Sequence, residues 1–170
     1  RRMTDTLSPI ACVERVIECD NARDAAGYRA ILHDDYRSYV HGQESTVGAD
    51  DEVAALEKWW LATSDVYLKT LDLHESDGVV TLRYRLDGTN DGDLFGRPAT
   101  GRKFGIENCT LLEVIDGKVK RAWRYSDTLG LMTQLGLLGD SGDPAPSPSD
   151  TSNTSNTSNT SDASDATPGS

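Results

Sequence analysis

Residues 66–127 constrain the fold more than any other part of the chain, because there the apolar residues recur at every second position. Val80, Leu82, Tyr84 and Leu86 alternate with Thr81, Arg83, Arg85 and Asp87, the pattern of a strand with one buried and one wet face. Val66 to Leu73 reads as the strand before it, and Ser76-Asp77-Gly78 joins the two into a hairpin. A long connection, GTNDGDLFGRPATG, leads to a third strand over Arg102 to Val114. Asp116-Gly117 then turns the chain into a fourth, Lys118 to Asp127. A short helix over Leu129 to Leu135 closes the pattern.

The preceding residues follow a helical period. Ser8 caps and Pro9 fits the first helical position, and Ile10, Val13 and Ile17 repeat along one face. A second short helix is predicted over Ala22 to Leu32, ending near HDDYRSYVHG. A third starts at Asp50-Asp51-Glu52, where acids suit the positive end of the helix dipole, and carries Val53, Leu56 and Trp60 on one face toward an end near Ser64. The fold class is therefore α+β: three N-terminal helices packed against a curved, mostly antiparallel sheet, with a short C-terminal helix.

A length of 170 residues predicts one domain over residues 8–138 after a flexible N-terminus, 1–7. Met3 reads as the native start, with Arg1 and Arg2 left from an upstream extension. From Gly139 to Ser170 no aromatic or large aliphatic residue occurs. Such a segment cannot offset its ordering entropy, so an acidic, low-complexity Ser/Thr/Asn tail without order is predicted. Three Asn-Thr-Ser triplets there, and Asn108-Cys109-Thr110, match the glycosylation pattern, but no secretory signal accompanies them.

No run of 18 apolar residues is present, which predicts a cytoplasmic protein with no membrane partner. The net charge of −11 disfavours nucleic acid. Cys12, Cys19 and Cys109 show neither disulfide nor zinc spacing and read as buried or half-buried thiols; no metal site is predicted.

The segments GTNDGDLFGRPATGRKF and IDGKVKRAWRYSDTLGLMTQLG resemble the SnoaL-like polyketide cyclase family of the nuclear transport factor 2-like superfamily. DDYRSYVHG and the helix ahead of it look like the same family's early segment, so the resemblance spans roughly residues 8–138. It implies a cystatin-like cone with a pocket at one end and a homodimer formed through the sheet. It also implies cofactor-independent cyclase or isomerase chemistry on a hydrophobic, carbonyl-containing small molecule. Two departures stand out: Arg121 replaces an acid often found two positions before the Trp, and Asn90 replaces a common His.

Two roles fit Asp127. It immediately precedes a helix, where Asp is a favoured N-cap. Strand alternation also places it on one face with Val119, Arg121, Trp123 and Tyr125, and the aromatic face reads as the pocket face. A carboxylate beside Trp123 and Tyr125 would be desolvated, raising its pKa toward proton-transfer range. The resemblance makes this acid the acid/base of an intramolecular aldol cyclisation, and the two roles are compatible.

The remaining candidates shape a site around it. Tyr36 offers a hydroxyl to a substrate oxygen or packs at a helix end, and His41 sits near the pocket or serves a loop. Trp60 and Phe104 line or fill the pocket. Arg121 needs an anion, for which Asp127, Glu113 and a substrate oxygen qualify. A binding protein of the same fold without chemistry is the second reading, and a water-activating hydrolase the third.

Overall fold

A computed structural model describes residues 6–138; the predicted tail over 139–170 and residues 1–5 lie outside the described residues. Helix α1 (Pro9–Ala22) begins as its sequence dictates, with the Ser8 side chain accepting from the Ala11 amide at 3.2 Å. It buries Cys12, Val13, Val16 and Cys19, so two of the three thiols are core residues. Helix α2 (Ala25–Ile31) is capped by Asp24, whose Oδ1 accepts from the Gly27 amide at 2.8 Å.

A hairpin follows that sequence periodicity did not reveal. Strand β1 (Leu32–Val40) pairs antiparallel with β2 (Gln43–Val47), and only then does α3 (Ala49–Ala62) begin. Two features hide these strands in the sequence. Their deepest inward residues include hydroxyls, Ser38 and Thr46, bonded to each other at 2.6 Å, so no apolar alternation marks them. Moreover β1 joins the sheet through a parallel pairing with a strand about 80 residues later, which no local pattern encodes.

Strands β3 (Tyr67–Ser76), β4 (Val79–Thr89), β5 (Lys103–Ile115) and β6 (Lys118–Ser126) form the expected antiparallel meander. The sheet order is β2-β1-β6-β5-β4-β3, antiparallel except for β1 against β6. Helix α4 (Thr128–Leu135) ends on Gly136, whose left-handed conformation closes the last turn. One core lies where α1, α2 and β1 meet the sheet, and a second gathers Trp60, Phe104, Ile106, Leu131 and Leu135 near α4.

One irregularity decides what the inner face carries. Glu113 of β5 opposes Arg121, yet the next residue, Val114, opposes Val119, leaving Lys120 as an extra residue in β6. Such a bulge reverses the facing of every residue beyond it. Val119 and Ala122, three positions apart, are both fully buried as a result. From there Arg124 and Ser126 face inward, while Arg121, Trp123 and Tyr125 face outward.

Candidate functional site

Helices and inner sheet face enclose a cavity of about 420 Å³ with mostly apolar walls, among them Val16, Ile17, Leu56, Trp59, Leu86 and Ile106. That size suits a drug-sized organic ligand. Cross-strand register lays polar groups along its floor in two adjoining rows: Tyr84, Asn108 and Ser126, then Thr110 and Arg124 beside the apolar Leu82. Asp20 and Tyr28 add polar groups from α1 and α2, and Glu52 from α3.

Arg124 forms an ion pair with Glu52, whose side chain is only 5% exposed. The Thr46 hydroxyl donates to Glu52 Oε2 at 2.6 Å, and Arg124 also donates to the Tyr36 hydroxyl at 3.2 Å. Burial alone would raise the Glu52 carboxyl, but the Arg124 charge and the hydrogen bonds outweigh it and hold it below its ordinary value. Arg124, itself tending to lose its proton on desolvation, is held well above its ordinary value by the tyrosines and Glu52 around it. Tyr36 is pushed up to about 12 by burial, so it remains a neutral hydroxyl.

Asp20 is placed differently. It stands near the end of α1, one helical turn beyond Val16, and its Oδ1 accepts from the Trp60 indole N–H at 2.8 Å. Burial raises its carboxyl above the ordinary value, against the pull of the Trp60 bond and of Arg23. The cavity thus holds one carboxylate locked in an ion pair and one whose environment favours taking up a proton.

Measured against this geometry, the aromatic face of β6 is not the pocket face. The bulge at Lys120 turns Trp123 outward to stack on Tyr39, with ring centroids 6.0 Å apart, and leaves Tyr125 48% exposed. Arg121 pairs with Glu113 at 3.1 Å on that same outer face. Asp127 lies beyond the strand, exposed, and caps α4 by accepting from the Gly130 amide at 2.8 Å; its neighbours Ser126 and Thr128 line the cavity while it does not.

The other predicted residues divide. Tyr36 is buried behind the wall and reaches the site through Arg124. His41 is exposed where β1 turns, its Nε2 3.4 Å from the Thr128 hydroxyl at the cavity edge. Trp60 does not line the cavity; Asp20 draws its indole inward, and Trp59 takes the wall position instead. Phe104 packs behind Trp59 at 5.8 Å and is likewise off the wall. Asn90 is a loop clamp: its amide donates to Gly92 O at 2.7 Å, and its oxygen accepts from the Thr100 amide at 2.9 Å.

Asp20, Glu52, Arg124 and Asn108 escaped the sequence reading. A signal existed for two of them. Asp20 follows Val16 by four positions, and Glu52 precedes Leu56 by four and Trp60 by eight, so each is an acid on an apolar helix stripe. Among the described residues no group of three or more His, Cys, Asp or Glu is placed to hold a metal ion, and no helix is long and apolar enough to cross a membrane.

Helices packed against a mostly antiparallel sheet surround a mostly apolar cavity with ionisable groups in its walls, the form that a small-molecule site takes. The family model of SnoaL-like polyketide cyclases matches residues 10–135, and the chain belongs to that family. Aklanonic acid methyl ester cyclase DnrD of Streptomyces peucetius is 28% identical over 130 residues, covering 75% of this chain and 90% of the relative. Aklanonic acid methyl ester cyclase DauD of Streptomyces sp. (strain C5) is 29% identical over 136 residues, covering 76% and 83%. A solved structure from Jannaschia sp. CCS1 shares the fold with a TM-score of 0.71 at 21% identity, covering 79% of this chain and 96% of its own.

Proposed function

We propose that this protein is a cofactor-independent cyclase or isomerase that moves a proton on a hydrophobic, carbonyl-containing small molecule held in the cavity. The observation that carries this reading is Asp20: a carboxylate in a mostly apolar wall, fixed by Trp60, with its proton affinity raised by burial. In an intramolecular aldol cyclisation the carboxylate takes a proton from a carbon flanked by carbonyls. The resulting enolate carbon bonds to a second carbonyl carbon of the same molecule. The new alkoxide recovers the proton, so substrate and product are isomers and no electron leaves. Glu52, committed to Arg124, is a poor base for this step, and Asp127 fixes α4 beside the cavity edge through its cap.

The names of the relatives supply the first substrate to test, aklanonic acid methyl ester. The expected result is a product of unchanged mass and altered chromatographic mobility. Asp20→Asn should lower turnover by about 100-fold or more, while Asp127→Asn retains it. Full turnover by Asp20→Asn with loss in Asp127→Asn would return the acid/base role to Asp127. Ligand bound tightly and released unchanged by the wild type would favour a binding protein. The same reading includes a cytoplasmic setting and a homodimer through the outer sheet face, supported by the exposed Tyr125 and the Tyr39–Trp123 stack there. A monomeric mass in sedimentation at micromolar concentration would remove the dimer from it.

A further inference from the structure

Among the described residues, four two-residue turns share one geometry. His41-Gly42, Asp77-Gly78, Phe95-Gly96 and Asp116-Gly117 each place both residues at positive φ, between 48° and 81°. Such a turn favours Asn or Asp followed by Gly, because a short polar side chain tolerates the left-handed conformation and a bulky one is crowded there. Two of the four carry Asp, and neither Asp77 nor Asp116 lines the cavity. The other two stand at its opening. His41 reaches Thr128 at the cavity edge, and Phe95 lines the cavity itself. His enters the left-handed region more readily than most residues, so Phe95 is the clear departure.

Nothing in the turn itself calls for an aromatic ring. The Leu94 N–H donates to the Arg97 carbonyl at 2.9 Å and the Arg97 N–H returns the bond at 3.0 Å, so the backbone closes without the tip side chain. Leu94, buried in the second core, already anchors it. Phe95 is instead 61% exposed. Ser45, Ala55 and Thr128 also line the cavity while exposed, and with Phe95 they mark its mouth; the ring is the large apolar group among them. On its other side the ring borders a surface recess lined by Lys58, Leu61 and Asp93, with Ala55 and Trp59 common to both spaces. A strained backbone that holds an apolar ring in water, at the opening of an apolar cavity, gains nothing for the empty protein. It gains when a ligand covers the ring.

We propose that Phe95 is a specificity-determining residue that packs against the outer end of a bound ligand, so that the cavity favours apolar ligands long enough to reach its mouth. This role rests on the reading that the cavity takes a hydrophobic small molecule, and not on the proton transfer done there.

The probes are acetophenone and para-acetylbiphenyl, which carry the same ketone and differ by one ring in line, titrated by calorimetry against the whole chain. Phe95→Asn installs the residue type that the turn favours. It should raise the melting temperature by about 2 °C and weaken para-acetylbiphenyl about fivefold, while binding acetophenone as the wild type does. Phe95→Tyr, which keeps the ring, should bind both probes as the wild type does. Equal weakening of the two probes by Phe95→Asn overturns the role, as does undiminished binding of para-acetylbiphenyl. A fall in melting temperature overturns it as well, because the ring would then be serving the fold. Binding of neither probe by the wild type would remove it together with the hydrophobic-ligand reading. Selective loss of para-acetylbiphenyl, in a protein that leaves aklanonic acid methyl ester unchanged, would sink the catalytic reading and keep Phe95 in its role.

Discussion

The two faces of β6 carry opposite kinds of residue from what their positions suggest. The outward face holds the aromatics, Trp123 and Tyr125, together with Arg121, while the inward face holds Ala122, Arg124 and Ser126. A buried face is usually read from its aromatic content, and here that reading inverts the strand. The guanidinium can stand inside because Glu52 and Tyr36 meet it from α3 and β1, and Thr46 of β2 holds Glu52 in place. The aromatics can stand outside because Tyr39, in parallel register with Trp123, covers part of their surface. One extra residue, Lys120, separates these outcomes.

Deleting Ala122 should therefore have the largest effect. With Lys120 still bulged out, the deletion turns Trp123 inward and Arg124 outward; with the bulge absorbed, it puts Arg121 at the fully buried position of Ala122, and either way loss of cooperative thermal unfolding is the expected result. A variant with wild-type melting would show that the facing of this strand does not govern stability.

Glu52→Gln comes next, with a loss of about 3 kcal/mol in urea unfolding, because it leaves the Arg124 charge without its counterion. Its pH dependence carries a sign. Glu52 is held below its ordinary value of 4.5, so its contribution is present above that pH and disappears as pH falls through the lowered folded value. The difference between wild type and Glu52→Gln should shrink on acidification over that window. A pH-independent difference would mean that the pair is not ionic.

Asp127→Ala should cost about 1 kcal/mol, the worth of a helix cap, and leave binding in the cavity within about twofold of wild type. A change of tenfold or more in ligand affinity with little loss of stability would place Asp127 in the site after all.

The legibility of the chain follows the reach of each signal. The meander and the caps at Ser8 and Asp127 depend on neighbours a few residues apart, and the structure reproduces them. Strand β1 and the facing of Arg124 depend on pairings 80 or so residues away and on a bulge, neither of which leaves a mark in local periodicity. The family resemblance was readable because it rests on short motifs, and the family model bears it out. The cavity acids were half readable: Glu52 fitted the helix dipole so well that its place on the apolar stripe passed unread. Asn108 carried only a misleading modification pattern, since its place in the cavity floor is set by cross-strand register, a property of the assembled sheet.

The most direct test is the titration of the Asp20 carboxyl by carbon-detected NMR, assigned with Asp20→Asn. Burial in the cavity predicts a value above the ordinary 3.8, and with it a native state that loses stability as pH rises from 3.8 through the raised value, a loss absent in the variant. A midpoint at or below 3.8 would mean that Asp20 is solvated or ion-paired and unsuited to take a proton from a bound ligand, and the cavity would then lack the acid/base that its proposed chemistry requires.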